Sequence, residues 1–209
     1  MIKVEHIVTW GFDHAIRGMR NPLNSWDRSD SKFDYDKMCL GENDLTLMRK
    51  LYAAGQPHRK YLRQIFVSMD ITAPLYWWKE FDTYKVGTTA NSCSTMHKLT
   101  AKEFTIDDFS FEDCDRWTKD VVCSCIINAL NMNRLKYLET EDKELWRQMV
   151  QLLPSSYNQR RTVTMTYENV MNILDYRQGH KLSEWNEYCD ILMAGLPYVA
   201  DLRNATQKR

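Results

Sequence analysis

Net charge is missing from this sequence: 28 basic and 28 acidic side chains cancel, and the sequence pI lies near 6.9. No overall field draws the chain to nucleic acid or to an anionic membrane, so any anion site must be local. Long apolar runs are missing too. None approaches the roughly 20 residues of a membrane span, and the opening MIKVEHIVTW carries charges where a secretion signal needs an apolar core. The expectation is a cytoplasmic protein with neither nucleic acid nor membrane as partner. The common local signatures of chemistry are also lacking: no GxSxG, P-loop, GxGxxG or HExxH occurs. Among the six cysteines there is no CxxC, and Cys123 and Cys125 form the sole close pair. Two residues apart on a helix, they point about 200° apart, the wrong geometry for a shared metal. Reduced thiols serving as small core hydrophobes are expected, with no metal.

What is present is ordinary globular material, 44% hydrophobic and 27% charged over 209 residues, enough for one domain, residues 1–209, with a real core. Ile2, Val4, His6, Val8 and Trp10 alternate and predict a strand, and a short helix follows around Asp13 to Met19. Residues 21–41 are rich in Asn, Asp and Ser without a period, and are expected to form a long loop. Asp44 is placed as an N-cap for a helix with Leu45, Met48, Leu51 and Tyr52 on one face, stopped by Gly55. Pro57 opens a short helix carrying His58, Arg59, Lys60 and Arg63, and Ile65 to Thr72 alternates as a second strand. Pro74 then starts an aromatic helix, PLYWWKEFDTYKV, which Gly87 ends before a polar loop, TTANSCST.

A long helical pattern runs from about Glu112 to Glu139, and another from Glu141 to Leu153, stopped by Pro154. Val163, Met165 and Tyr167 alternate with threonines as a third strand, placed at an edge. Helices around Glu168 to Arg177 and from Ser183 to Gly195 close the chain, before a polar tail NATQKR. Separated strands and helices predict an α+β fold with a mostly antiparallel sheet, flanking helices and a helical layer.

Two stretches carry a family resemblance. The run ITAPLYWWKEFDTYKVGTTANSCSTMH, Ile71 to His97, resembles the signature segment of flavin-dependent thymidylate synthases: an apolar strand, an Ala-Pro link, a helix, then RHRxxSxNxxSxRY. Ala73 and Pro74 match the link, Asn91 and Ser94 match the Asn and the second Ser, and Thr89 stands at the first Ser. The run LLPSSYNQRRTVTMTYENVMNILDYRQGHKLSEWNEY resembles the same family's C-terminal half, with Pro154, Asn172 and Arg177 on its positions. Together they cover about half the chain. The departures are equally plain. The Arg-His-Arg triplet is replaced by Thr83-Tyr84-Lys85 in one register or by Tyr84-Lys85-Val86 in the other, and Met96 and Val150 stand where two further arginines belong. A thymidylate synthase of the cysteine-dependent kind is excluded by the absence of a Pro-Cys-His nucleophile.

The resemblance implies a homotetramer binding FAD, with NADPH and methylenetetrahydrofolate as cosubstrates, in which a one-carbon unit passes to dUMP and a hydride follows. It places His58, Asn91, Asn172 and Arg177 at the cofactor and Ser94, Thr89, Lys85, Glu80 and Arg177 at the nucleotide; no catalytic group is singled out. Each has a structural alternative: His58 as a surface residue, Asn91 and Ser94 as a capping turn, Arg177 as a cation at a helix C-terminus. Losing about three arginines removes charge-assisted hydrogen bonds of roughly 1.5–3 kcal/mol each, so two readings stand beside a third, an unrelated α+β interaction protein. One is a thymidylate synthase-like enzyme acting on dUMP or a related nucleotide. The other is a diverged homologue without that activity, a nucleotide-binding or structural oligomer.

Overall fold

The structure, a computed structural model, describes residues 2–34 and 37–207. Its α+β architecture has an antiparallel sheet among many helices, as the segment pattern predicts. Strand β1 is Lys3–Trp10, β4 is Phe66–Pro74, β5 is Thr88–Ser92 and β6 is Asn158–Thr166, and they lie in the order β1-β4-β6-β5. β6 is therefore interior rather than an edge strand. β5 occupies part of the stretch expected as the polar loop: its threonines, alanine and asparagine form an edge strand exposed along most of its length. The described residues divide into two compact units, residues 2–3 with 70–83 and 90–162, and residues 4–34 and 37–69 with 84–89 and 163–207.

In the first unit, Pro74 is the extended N-cap of α3, Leu75–Phe81, and Trp77, Trp78 and Phe81 bury completely or nearly so. Their rings meet at centroid distances of 5.0–5.2 Å, the close edge and offset contacts that aromatic quadrupoles favour. Backbone N–H groups of Leu75 and Tyr76 donate to Tyr157 and Ser155, each at 3.0 Å. Beyond the short helix α4, Thr95–Lys98, the predicted long helix is three pieces: α5 Arg116–Val121, a π-helical turn Val122–Ile127, and α6 Asn128–Thr140. Asp115 caps α5 through the N–H of Thr118 at 2.7 Å. Helix α7, Lys143–Leu152, is capped by Asp142 and stops just before Pro154. Leu99, Phe104, Phe109, Val122, Ile127, Leu130 and Met149 form the core of this helical part, each fully buried side chain contributing about 1.5–3 kcal/mol. Half-buried Cys123 packs on that core while Cys125 is exposed; Cys39 and Cys93 are exposed too, so the reading as core residues holds fully for Cys189 alone.

In the second unit β1 leads into α1, Phe12–Arg20. His6 has a left-handed φ of 54°, which breaks the strand's alternation: Val8 and Trp10 are 58% and 45% exposed, and Trp10 stacks on Phe66 at 5.7 Å. Helix α2 is Glu42–Ala53, with Gly41 at its N-cap. Asp44 thus lies inside the first turn, corrected from cap to buried anchor. Its carboxylate accepts Arg20 Nε at 2.5 Å, Ser29 Oγ at 2.8 Å, and both the hydroxyl and the N–H of Ser31, at 2.6 and 3.0 Å. These bonds organise the expected long loop into 3-10 turns, Asn21–Leu23 and Trp26–Arg28, and an antiparallel pair of β2, Lys32–Asp34, with β3, Lys37–Cys39; Tyr35 and Asp36 lie outside the described residues. Burial raises the Asp44 pKa, but hydrogen bonds from Ser31, Ser29 and Arg20 outweigh it and hold the carboxyl below its ordinary value. Helices α8, Tyr167–Arg177, α9, Ser183–Gly195, and α10, Val199–Gln207, complete the chain. α10 takes in most of the expected polar tail, because Val199 and Leu202 bury completely and anchor it.

Candidate functional site

Helix α8 places Arg177 on its last turn, where the macrodipole favours a cation. Gly179, at φ 77°, lets the chain turn sharply, and the turn is fixed by Asn186, which accepts the Gly179 N–H and donates to the His180 carbonyl, both at 2.8 Å. Arg177 is half-buried between aromatic faces. Its guanidinium carbon lies 4.7 Å over the Trp185 ring and 5.6 Å over that of Tyr84, and Nε donates to the Tyr84 hydroxyl at 3.0 Å. His180 Nε2 is 3.3 Å from Arg177 Nη1, while Nδ1 takes the Leu182 N–H at 3.2 Å. A neutral imidazole has one lone-pair nitrogen, so one of these two contacts is an accepted hydrogen bond at a time.

The replaced triplet meets this arginine. Tyr84 binds Arg177 directly, and the exposed Lys85 follows it. Asn169, from the first turn of α8, donates to the Val86 carbonyl at 2.7 Å and to Thr88 Oγ1 at 2.8 Å; Gly87, at φ 73°, turns the chain between them. Thr89 follows, exposed. Arg63 is not part of this group: Glu168, at the start of α8, takes its Nε at 2.5 Å, nine residues and about 13 Å along the axis from Arg177.

A second group in the same unit pairs Asn172, expected at the cofactor, with Arg59, the chain neighbour of His58. Arg59 Nη2 donates to Asn172 Oδ1 at 3.4 Å, and its guanidinium lies 5.3 Å from the Tyr52 ring centroid. Arg59 Nε is buried without a hydrogen-bond partner, which is costly for a charged donor. Burial holds the Tyr52 hydroxyl above the usual phenol range. The exposed His58 lines a cavity of about 280 Å³ with Leu47, Leu51, Tyr61 and Gln64.

The first unit holds the remaining three. Glu80 is half-buried on α3, and its carbonyl accepts the Thr83 hydroxyl at 2.8 Å. Asn91 is exposed on β5, and Ser94 is half-buried at the entry to α4. Between them Cys93 is clamped: its N–H donates to the Arg160 carbonyl at 2.8 Å, and its carbonyl accepts Gln159 Nε2 at 2.9 Å. Gln159 Oε1 in turn accepts Arg161 Nε at 2.9 Å, and Arg161 lies 4.2 Å over Trp78 while donating to Asp82. Arg161 puts a guanidinium beside Asp82, immediately before the triplet positions. The sequence pattern offered Arg59 only as one member of a basic cluster and gave no sign of Arg161 or His180, since a charged residue on a turn or strand reads as solvated face.

The fold these elements make has counterparts among solved structures. Thymidylate synthase X (ThyX) from Helicobacter pylori with FAD and dUMP superposes with a TM-score of 0.75, covering 99% of this chain and 100% of that one, at 15% identity. A flavin-dependent thymidylate synthase ThyX from the same organism, complexed with FAD and dUMP, gives 0.68 over 99% and 98%, at 17% identity. This chain shares their fold from end to end. No family model matches it, and no curated protein does. Among the described residues, no helix is long and apolar enough to cross a membrane.

Proposed function

We propose that this chain is a thymidylate synthase-like, FAD-binding protein of pyrimidine deoxynucleotide metabolism, acting on dUMP or a related nucleotide. The observation that carries the reading is the full-length fold likeness to enzymes holding both FAD and dUMP. The donor set fits a flavin dinucleotide: Arg59 offers an unsatisfied buried N–H beside Asn172, and the His58 cavity has room for one ring system. FAD, when bound, supplies a hydride. His58, Arg59 and Asn172 would hold it. Arg177, pre-oriented between Trp185 and Tyr84, would present its fork to the nucleotide, with Lys85 adding charge and Thr89 a hydroxyl. NADPH and methylenetetrahydrofolate would be the cosubstrates. Homotetramer assembly is supported by the exposure of Trp117, Met132, Leu135 and Leu138, at 73, 57, 56 and 53%.

A second reading, a nucleotide-binding or structural oligomer without the synthase reaction, is favoured by one observation: Arg177 is already engaged by Tyr84, Trp185 and His180. An absorbance spectrum of the purified protein, followed by titration with FAD and then dUMP, separates the two. The synthase reading expects about one flavin per chain, a dUMP-dependent spectral shift, and loss of that shift in Arg177→Ala with the fold retained. Absence of flavin binding overturns it.

A further inference from the structure

Helix α1 and the segment after it enclose another cavity, of about 360 Å³, lined by Asp13, His14, Arg17, Arg20, Trp26 and Phe33. None of the residues proposed for FAD or dUMP lies in it. Two aromatic side chains are left open there: Trp26 is 48% exposed and Phe33 39%. The indole N–H of Trp26 is spent on Asn21 Oδ1 at 2.8 Å, which fixes the ring and leaves its π face as the group on offer. The 3-10 turn that carries Trp26 is followed directly by Ser29 and Ser31, both bonded to the buried Asp44, so this wall is anchored to the core.

The charged side chains around the cavity differ in what they bond. Arg20 is buried and answered by Asp44, and His14 faces Asp13 at 3.7 Å. Arg17, exposed on the same helix, has no ion pair or hydrogen bond among the described residues. Open aromatic faces beside a guanidinium that bonds no other side chain suit a flat heteroaromatic ring that carries an anion, because π faces stack on any base and a guanidinium fork matches phosphate oxygens. The volume sits at the small end of ligand cavities, about 300–1,000 Å³, which suits a mononucleotide rather than a dinucleotide.

We propose that this cavity is a second nucleotide site, binding a nucleoside 5′-monophosphate with its base against Trp26 and Phe33 and its phosphate at Arg17 and His14. The site is separate from that of the proposed dUMP chemistry, and it stands whether or not the chain binds flavin.

Calorimetric titration of the full chain with AMP, adenosine and inorganic phosphate, each without dUMP, tests the assignment, the Arg17 and Trp26 variants reporting on this cavity alone. AMP is expected to bind more tightly than either fragment. Arg17→Ala should weaken AMP by about tenfold or more and leave adenosine unchanged, because Arg17 touches the phosphate alone. Trp26→Ala should weaken AMP and adenosine alike, and Trp26→Phe should restore both, a rescue that a mere folding defect would not show. No saturable AMP binding to the unaltered chain, or AMP binding unchanged in both Arg17→Ala and Trp26→Ala, overturns the proposal.

Discussion

Replacing Asp44 by asparagine should be among the most damaging single-atom changes in this chain. The carboxylate is fully buried, and every neighbour that touches it donates: Arg20 Nε, the hydroxyls of Ser29 and Ser31, and the N–H groups of Asp30 and Ser31. An amide would turn an NH2 group toward some of those donors and leave Arg20, itself 4% exposed, with no counter-charge. Breaking one side of a buried pair costs about 3–5 kcal/mol. For a chain of this size each kcal/mol shifts the melting temperature by about 2–4 °C, so Asp44→Asn should melt about 8–16 °C lower for a 4 kcal/mol loss. The double change Arg20→Met, Asp44→Leu, which removes both charges, should cost less than Asp44→Asn alone. The pH dependence has a definite sign. Because the folded pKa of Asp44 is lowered, its contribution is fully present above the unfolded value, about 3.9, and is lost as pH falls below that through the folded pKa. Urea unfolding of the two proteins at neutral pH and near pH 3 reads both effects. A deficit under about 1 kcal/mol at neutral pH, or a gap between the two proteins that widens on acidification, would refute the argument.

Two other outcomes follow from local geometry. A Cβ on Gly41 would meet the Asp30 carboxyl carbon at 2.1 Å and the Asp30 backbone carbonyl carbon at 2.6 Å, so Gly41→Ala should destabilise by about 1–3 kcal/mol, measured by thermal denaturation; a neutral effect would mean that the Asp30 turn is free to move. Burial pushes the Cys189 thiol up to about 11, so in native protein at pH 8 iodoacetamide should label the exposed Cys39, Cys93 and Cys125 well before Cys189, and mass spectrometry showing Cys189 labelled first would contradict that burial.

How much of this was legible in the sequence depends on whether a residue's partner is near in the chain. Pro74 before LYWWKEF and Ser183 before WNEYC marked helix starts within a residue or so, because first-turn chemistry is local. The alternation of Val67, Met69 and Ile71 gave β4 for the same reason. Asp44 looked like a cap, since a carboxylate before an apolar helical face is the usual cap signal; its true role depends on Arg20, 24 positions away. β5 was hidden because a polar edge strand lacks the apolar alternation that a half-buried strand shows, and β6 was set at an edge because its threonines suggested solvent rather than a neighbour. Arg177 was picked out as a candidate by the family pattern. Its aromatic clasp was not, since Tyr84 lies 93 residues away.

The π-helical turn from Val122 to Ile127 amounts to one extra residue threaded into a helix. Helices α5 and α6 on either side must therefore be phased for a chain longer by one than a regular helix would accept. Removing a single residue inside 122–127 can relax that turn to α-helical geometry and keep both flanking faces in place. The same deletion in α6 would instead swing every side chain on one side of the cut by about 100°. The turn marks the one stretch of this long helix where the length of the chain can drift while its packing stays fixed.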